Sequence, residues 1–310
     1  MSSEYDITNY IVDLNQFKII KKNKWKGACG YISIVKEKTT NTQYVAKVLK
    51  NSLKNDANAQ RDFFNHIKIE HILRGYPNIV NFVGFNLSSF QECDNSINPT
   101  IFLEFVNNGT LDEYLESNNL SKKKTKFLSN TKKQICMLGI AIGAHIIHQN
   151  DIVHLDLKPD NILLDENLYP KINDFGSAKF INHQFQKNDD DDEKNSFPSS
   201  VVSAPLFTSP EILKLSSFNE KADVYSYAYI LYKIISGIDP KIESESILEM
   251  FNNILKGKRP DLSIIQKEQK KFKGVSLHID NLESLLLSDS LDDLEIEYYG
   301  FAKLISECWD

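Results

Sequence analysis

Apolar residues change their period about a third of the way along the chain. Between residues 17 and 50 they come in short runs separated by turn chemistry. Tyr31-Ile32-Ser33-Ile34-Val35 and Tyr44-Val45-Ala46-Lys47-Val48-Leu49 read as strands joined at Thr39-Thr40-Asn41-Thr42. Residues 57–74 carry Phe63, Phe64, Ile67, Ile72 and Leu73 at helical spacing, which predicts a helix. Strands are expected near 79–85 and 100–105, and beyond Asn107-Asn108-Gly109 the pattern turns helical. Residues 131–149 place Ile135, Leu138, Ile142 and Ile146 on one stripe, the expected buried face of a long helix. Two more helices are predicted, at 222–236 and at the C-terminal end. A strand-rich beginning and a helix-rich remainder define an α+β chain of two segregated lobes. The small β-rich N-lobe spans 17–106, the larger helical C-lobe spans 107–310, and residues 1–16 form an N-terminal extension. Two stretches interrupt this order. Residues 184–200 contain Asp189-Asp190-Asp191-Asp192-Glu193, an acidic insert that reads as a solvated loop. Residues 261–296 mix Lys-rich and acidic segments and read as an insertion between helices.

The 310 residues suffice for one large domain or two packed lobes. A hydrophobic content of 41% is ordinary for a globular chain, so most of it should fold. A net charge of −6 argues against a nucleic-acid binder, which would show a basic stripe. Cys29, Cys93, Cys136 and Cys308 lie far apart, as free thiols in a reducing compartment would. Residues 1–10 are polar with no apolar leader, and no window approaches ~18 uncharged apolar residues. A soluble, cytoplasmic protein without a membrane span is therefore expected. Its oligomeric state is left open.

One segment concentrates the chemistry. His154-Leu155-Asp156-Leu157-Lys158-Pro159-Asp160-Asn161 sets a carboxylate, a cation and an amide close together, and Asp174-Phe175-Gly176 follows. A carboxylate that can accept a hydroxyl proton, an ammonium, and two hard oxygen donors are what phosphoryl transfer from a nucleotide triphosphate requires. Each motif alone would be weak; both in this order are specific. Here the sequence resembles the eukaryotic protein kinases, whose catalytic loop reads H-R-D-L-x-x-x-N and whose metal loop reads D-F-G. Ser209-Pro210-Glu211 stands where A-P-E is expected, and Ala222-Asp223-Val224-Tyr225-Ser226 resembles the helix whose Asp ties down the catalytic loop. Gly257-Lys258-Arg259-Pro260 and Cys308-Trp309 resemble the tyrosine-kinase-like branch, which mostly phosphorylates Ser and Thr.

The resemblance covers the chain from about 17 to 309 and implies a bilobal fold with the following roles. Asp156 is the catalytic base and Lys158 offsets charge on the moving phosphoryl group. Asn161 and Asp174 hold Mg²⁺, with Mn²⁺ as a substitute ion. Lys47, in Tyr-Val-Ala-Lys, holds the α- and β-phosphates of ATP. Counting back from it, the glycine-rich frame falls on Trp25-Lys26-Gly27-Ala28-Cys29-Gly30-Tyr31-Ile32. Gly27 and Gly30 then let backbone approach a phosphate, and Ile32, Val45 and Leu163 enclose the adenine. Leu103 guards the rear pocket, while the backbone of Glu104 and Val106 bonds the adenine edge. Glu70, the only acidic residue between Asp62 and Glu92, is the choice for the helix partner of Lys47. Counting back from Tyr76-Pro77-Asn78-Ile79-Val80 lands nearer His66 or Ile67, and a surface glutamate is the plain alternative.

Four departures bear on activity. Trp25 replaces the first glycine of the loop, and Leu155 replaces the Arg that pairs with an activation-segment phosphate. Activity independent of that phosphate follows. Ala204 stands where Ser/Thr kinases carry a bridging Thr. No Arg follows Arg259, so Glu211 is expected to find a partner other than the late arginine of the family or to stay solvated. The final helix that carries this arginine is expected to be missing from the C-lobe, either because this is a shortened product or because the helix is dispensable. The resemblance implies a protein substrate with a Ser or Thr acceptor. The alternative is an inactive pseudokinase acting as an ATP-binding or interaction scaffold.

Overall fold

Five strands build the first lobe: β1 (Phe17–Lys26), β2 (Gly30–Glu37), β3 (Gln43–Leu49), β4 (Phe82–Asn86) and β5 (Thr100–Glu104). They form one antiparallel sheet in the order β1-β2-β3-β5-β4. The computed structural model describes residues 7–26, 30–50, 53–54, 56–88, 98–120, 128–181, 205–269 and 301–309. Helix α1 (Ala57–Ile72) starts at Asp56, whose carboxylate accepts the Ala59 amide at 2.9 Å. Phe63 and Ile67 of α1 pack on Phe82, Phe85, Ile101 and Leu103. Phe64, predicted on the same face, is exposed.

Strand β4 begins at Phe82, later than the apolar run suggests. Backbone groups at 78–80 are already taken by the other lobe: Ile172 N–H donates to Asn78 O at 2.8 Å and Val80 N–H to Ile172 O at 2.9 Å. The Asn78 carbonyl and the Val80 amide are therefore already paired outside the sheet.

The second lobe contains α2 (Leu111–Leu120), α3 (Asn130–Gln149), β6 (Ile152–Val153), β7 (Ile162–Leu164), β8 (Pro170–Ile172) and β9 (Lys179–Phe180). Helices α4 (Pro210–Leu213), α5 (Lys221–Ser236), α6 (Ile247–Leu255), α7 (Ser263–Gln269) and α8 (Phe301–Trp309) follow. β6 pairs with β9 and β7 with β8, both antiparallel. Helix α5 is apolar nearly all round and buried on most sides, as a central core helix should be. Helices α3, α7 and α8 pack against it. Buried Lys233 in its last turn binds Asp112 of α2 and Asp239, fastening α2 to the centre.

Two expectations change here. The stripe Ile135, Leu138, Ile142 and Ile146 of α3 is only half-buried; Cys136, Met137, Ile140, Gly143 and Ile147 form the fully buried side. The reason lies in the glycines. A Cβ on Gly139 would meet Pro170 Cγ at 2.6 Å, and one on Gly143 would meet Ile172 Cδ1 at 2.8 Å, so β8 lies against that face. Part of the supposed insertion at 261–296 is core: α7 forms there with Ile265 fully buried. The rest of that stretch, and the acidic insert 184–200, lie outside the described residues.

Residues 10–12 of the N-terminal extension lie along the outer edge of the sheet. Ile11 forms a parallel bridge with Phe85, and Val12 N–H donates to Phe85 O at 2.8 Å. Tyr10 stacks between His71 and Phe82, with ring centroids 4.7 Å and 5.8 Å away, and Arg74 lies over it. Gly84 permits this approach. A Cβ there would sit 2.4 Å from Tyr10 O and 2.5 Å from Val12 Cγ2. Gly84→Ala is therefore expected to lower stability by about 2 kcal/mol, read by chemical denaturation, with faster hydrogen exchange at the Val12 amide. Unchanged exchange there would show that the edge contact carries no energy.

Candidate active site

Strand register puts one row of side chains on a single face of the sheet. Ile32 pairs with Lys47 and Ile34 with Val45, while Val45 pairs with Leu103 and Lys47 with Ile101. Directly paired residues and their i+2 neighbours share a face. Ile32, Val45, Lys47 and Leu103 therefore line one surface. Val45 and, from the other lobe, Leu163 both pack against the apolar cluster that includes Leu103 and Val106. Gly30 opens β2 beside the β3 backbone; a Cβ there would lie 2.2 Å from Val48 O, which only glycine avoids.

The chain between the lobes is tied down at both ends. The Glu104 carboxylate accepts Lys171 Nζ at 2.8 Å and the Asn81 amide at 2.7 Å. Asn108 N–H donates to Leu164 O at 3.1 Å and Leu164 N–H to Gly109 O at 3.0 Å. Gly109 sits at φ 72°, the left-handed turn conformation that glycine adopts freely.

Asp223, buried on α5, organises the loop that follows β6. Its carboxylate accepts the His154 amide at 2.8 Å, the Leu155 amide at 2.9 Å and His148 Nε2 at 2.9 Å. Leu155 is thereby held at φ 63°, unusual for a branched side chain. His154 is fully buried, and its Nδ1 accepts the Asp156 amide at 3.2 Å. That leaves Nε2 to donate to Asn173 O at 3.0 Å, which fixes the neutral tautomer. Asp156 is bracketed from two sides. Lys158 Nζ reaches both carboxylate oxygens at 2.9 Å, and Asn161 Nδ2 donates to its Oδ2 at 2.8 Å and to its backbone O at 2.7 Å.

Asp174 stands at φ 66° with its Oδ1 accepting the Gly176 amide at 3.3 Å. The same oxygen takes Lys47 Nζ at 2.6 Å, joining the two lobes by an ion pair. Burial pushes the Asp174 pKa up, but the Lys47 ammonium, by charge and by hydrogen bond, overrides it. With further help from His66 and the Gly176 amide, the carboxyl is held well below the ordinary range. Glu70 is buried, which removes the surface alternative, and its Oε1 lies 3.2 Å from His66 Nε2.

The donor set suits a hard divalent cation. Asn161 uses its amide nitrogen on Asp156, leaving its oxygen, and Asp174 keeps Oδ2 beyond the atom bound to Lys47. Among the described residues no group of three or more His, Cys, Asp or Glu converges as a metal cage. An ion held by Asn161 and Asp174 would thus complete its shell with phosphate oxygens and water, as Mg²⁺ commonly does.

The structure bonds Lys47 to Asp174, and Asp156 to Lys158 and Asn161, and the Asn173 amide beside Asp174 donates to Asn161 O at 2.9 Å. Ile32, Val45 and Leu103 share the sheet face of Lys47, and Val106 and Leu163 belong to the apolar cluster with Leu103. Gly27, Ala28, Cys29 and Ala204 lie outside the described residues. Two site residues escaped the sequence reading. His148 carries no signal beyond its helical position. His66 did, because the count back from Tyr76 fell on it.

The chain belongs to the protein kinase domain family, whose sequence model matches residues 24–295. It is 31% identical over 253 residues to a probable serine/threonine-protein kinase of Dictyostelium discoideum, covering 75% of this chain and 17% of that protein. Two Arabidopsis thaliana proteins are similar: a serine/threonine-protein kinase 29% identical, covering 81% of this chain and 39% of its own length, and a probable serine/threonine protein kinase 30% identical, covering 80% and 24%. The chain therefore spans well under half the length of these curated relatives. No helix among the described residues is long and apolar enough to cross a membrane.

An acid whose folded pKa lies below its unfolded value adds stability above about pH 4, and that increment is lost as pH falls through the folded value. Asp174 keeps 30% side-chain exposure, so solvent screens part of the effect. Asp174→Asn is expected to flatten the loss of stability between about pH 4 and 2, seen in acid titrations of the melting temperature. An unaltered acid limb would show that the Lys47 pair contributes nothing.

Proposed function

We propose that this chain is an ATP-dependent protein kinase that phosphorylates Ser or Thr hydroxyls of protein substrates in intracellular signalling, within the tyrosine-kinase-like branch. The observation that carries this reading is the environment of Asp156. Its carboxylate is oriented by Lys158 and Asn161, its amide donates to His154 Nδ1, and the two residues before it are anchored by Asp223. Family membership and serine/threonine kinase relatives support it.

In this reading Ile32, Val45, Leu103 and Leu163 enclose the adenine, whose edge bonds the backbone at Glu104 and Val106. Gly27 and Gly30 shape the turn over the phosphates. Lys47, already charged and near Asp174, holds the α- and β-phosphates. Glu70 serves this lysine side of the site from α1. The acceptor oxygen attacks the γ-phosphorus in line as the bond to the β-phosphate oxygen breaks and ADP leaves. Asp156 steers and receives the hydroxyl proton, while Lys158 offsets charge on the transferring group. A divalent cation at Asn161 and Asp174, Mg²⁺ or Mn²⁺, would screen the phosphate oxygens. Leu155 is uncharged and packs on the C-lobe core, which supports activity without an activation-segment phosphate.

Purified protein with Mg-ATP and a generic protein acceptor should transfer phosphate, and Asp156→Asn should lower that rate by about 10²–10⁴. Retained transfer in the variant would refute the role of Asp156. Nucleotide-dependent thermal stabilisation without transfer by the unaltered chain would mark a scaffold.

A further inference from the structure

Helix α1 presents two polar side chains to the interior, one turn apart. His66 is 8% exposed and Glu70 3%, among Phe63, Ile67, Ile69 and Leu73, which are buried and apolar. Polar groups are kept in such surroundings when they satisfy each other, and these two lie 3.2 Å apart. Their position explains why the pair is there. A Cβ on Gly176 would lie 3.2 Å from Asp174 Oδ1, 3.9 Å from His66 Cε1 and 4.0 Å from Lys47 Nζ. Imidazole, carboxylate and ammonium thus gather around one glycine. Farther along α1, Lys68 stands over the ring of Phe180, so the helix meets the chain after Asp174 at a second point.

We propose that His66, held in place by Glu70, is the residue of α1 that positions the Asp174-Phe175-Gly176 turn, and that Glu70 acts through His66 rather than by its charge on Lys47. The proposal deepens the kinase reading and rests on it for its catalytic consequence. The imidazole fills the space beside Gly176 and limits how far the turn can move. Glu70 fixes the ring by accepting the Nε2 proton, a task that needs an acceptor oxygen and not a negative charge. Asp174 is left on one side with Lys47 and on the other with its second oxygen available. His66 touches no reacting atom in this account, so it is a positioning residue.

Three variants of the full chain separate the possibilities: His66→Ala, His66→Gln and Glu70→Gln. Hydrogen exchange at the Gly176 and Ala178 amides, without nucleotide or metal, reads the turn directly. The first amide donates to Asp174 Oδ1 and the second to Phe175 O, at 3.3 Å and 3.1 Å. His66→Ala should speed both by on the order of tenfold. In assays with Mg-ATP it should lower kcat about tenfold or more, with little change in KM for ATP. His66→Gln, which can still donate to Glu70, should recover most of both losses. Glu70→Gln keeps an acceptor for His66, so its exchange at the Gly176 and Ala178 amides should stay within about threefold of the unaltered chain. Native exchange at both amides in a folded His66→Ala variant would overturn the proposal. So would a Glu70→Gln variant whose KM for ATP rises as far as that of Lys47→Met. If His66→Ala does not fold, His66→Asn, too short to reach Glu70 from the same position, takes its place in the exchange measurement. Absence of transfer by the unaltered chain would defeat the kinase reading, while the exchange comparison would still decide the role of His66.

Discussion

A single carboxylate in the middle of the C-lobe holds the catalytic loop in place. Asp223 sits on the central helix α5 and accepts two consecutive loop amides and one imidazole. Backbone donors withdrawn from water need such acceptors, and each one left unmet costs about 1–3 kcal/mol. The arrangement also dictates shape. Two amides in succession can point at one carboxylate only if the chain turns sharply, which is what the left-handed Leu155 accomplishes. From that turn the path runs through His154 to Asn173 and through Asn161 back to Asp156. Loop and metal-side strand are thereby bonded into one unit standing on α5.

The second organising contact reaches across the cleft. Lys47 comes from the middle of a strand and Asp174 from a tight turn in the other lobe, yet their charged atoms are 2.6 Å apart. Lys47 is buried but Asp174 keeps part of its side chain in solvent, so the pair is worth less than a fully buried bridge would be. Its importance is geometric. It sets the distance between the sheet and the turn, and any ligand bearing phosphates must share both partners.

The fold was legible where local pattern and global packing agree. β2, β3, α1 and α5 fall where periodicity puts them, because each has a face whose polarity matches its surroundings. Pattern misled where an element is apolar on several sides. Helix α3 offers the sheet-like ladder of β8 a choice of faces, and Gly139 and Gly143 decide it, although a count of large apolar residues points elsewhere. The start of β4 and the helix α7 were missed for a related reason: their fate is set by distant backbone and by α5, not by neighbours in sequence. For the site, Asp156, Lys158, Asn161 and Asp174 could be read because their spacing is short and local. His148 could not, since its meaning depends on Asp223, remote along the chain; His66 was marked by the count back from Tyr76, but its place beside Gly176 was not legible. Arg259 shows the same limit. It stacks on Tyr225 at 5.1 Å and donates to Trp309 O at 3.2 Å.

The ladder between residues 78–80 and Ile172 adds a mechanical consequence. It is a non-covalent joint between lobes, made of backbone bonds that only proline at a donor position would delete outright. Any rocking of one lobe against the other has to swing about this fulcrum and the tied segment near Asn108. The cleft can therefore open like a jaw at its mouth while staying closed at its root.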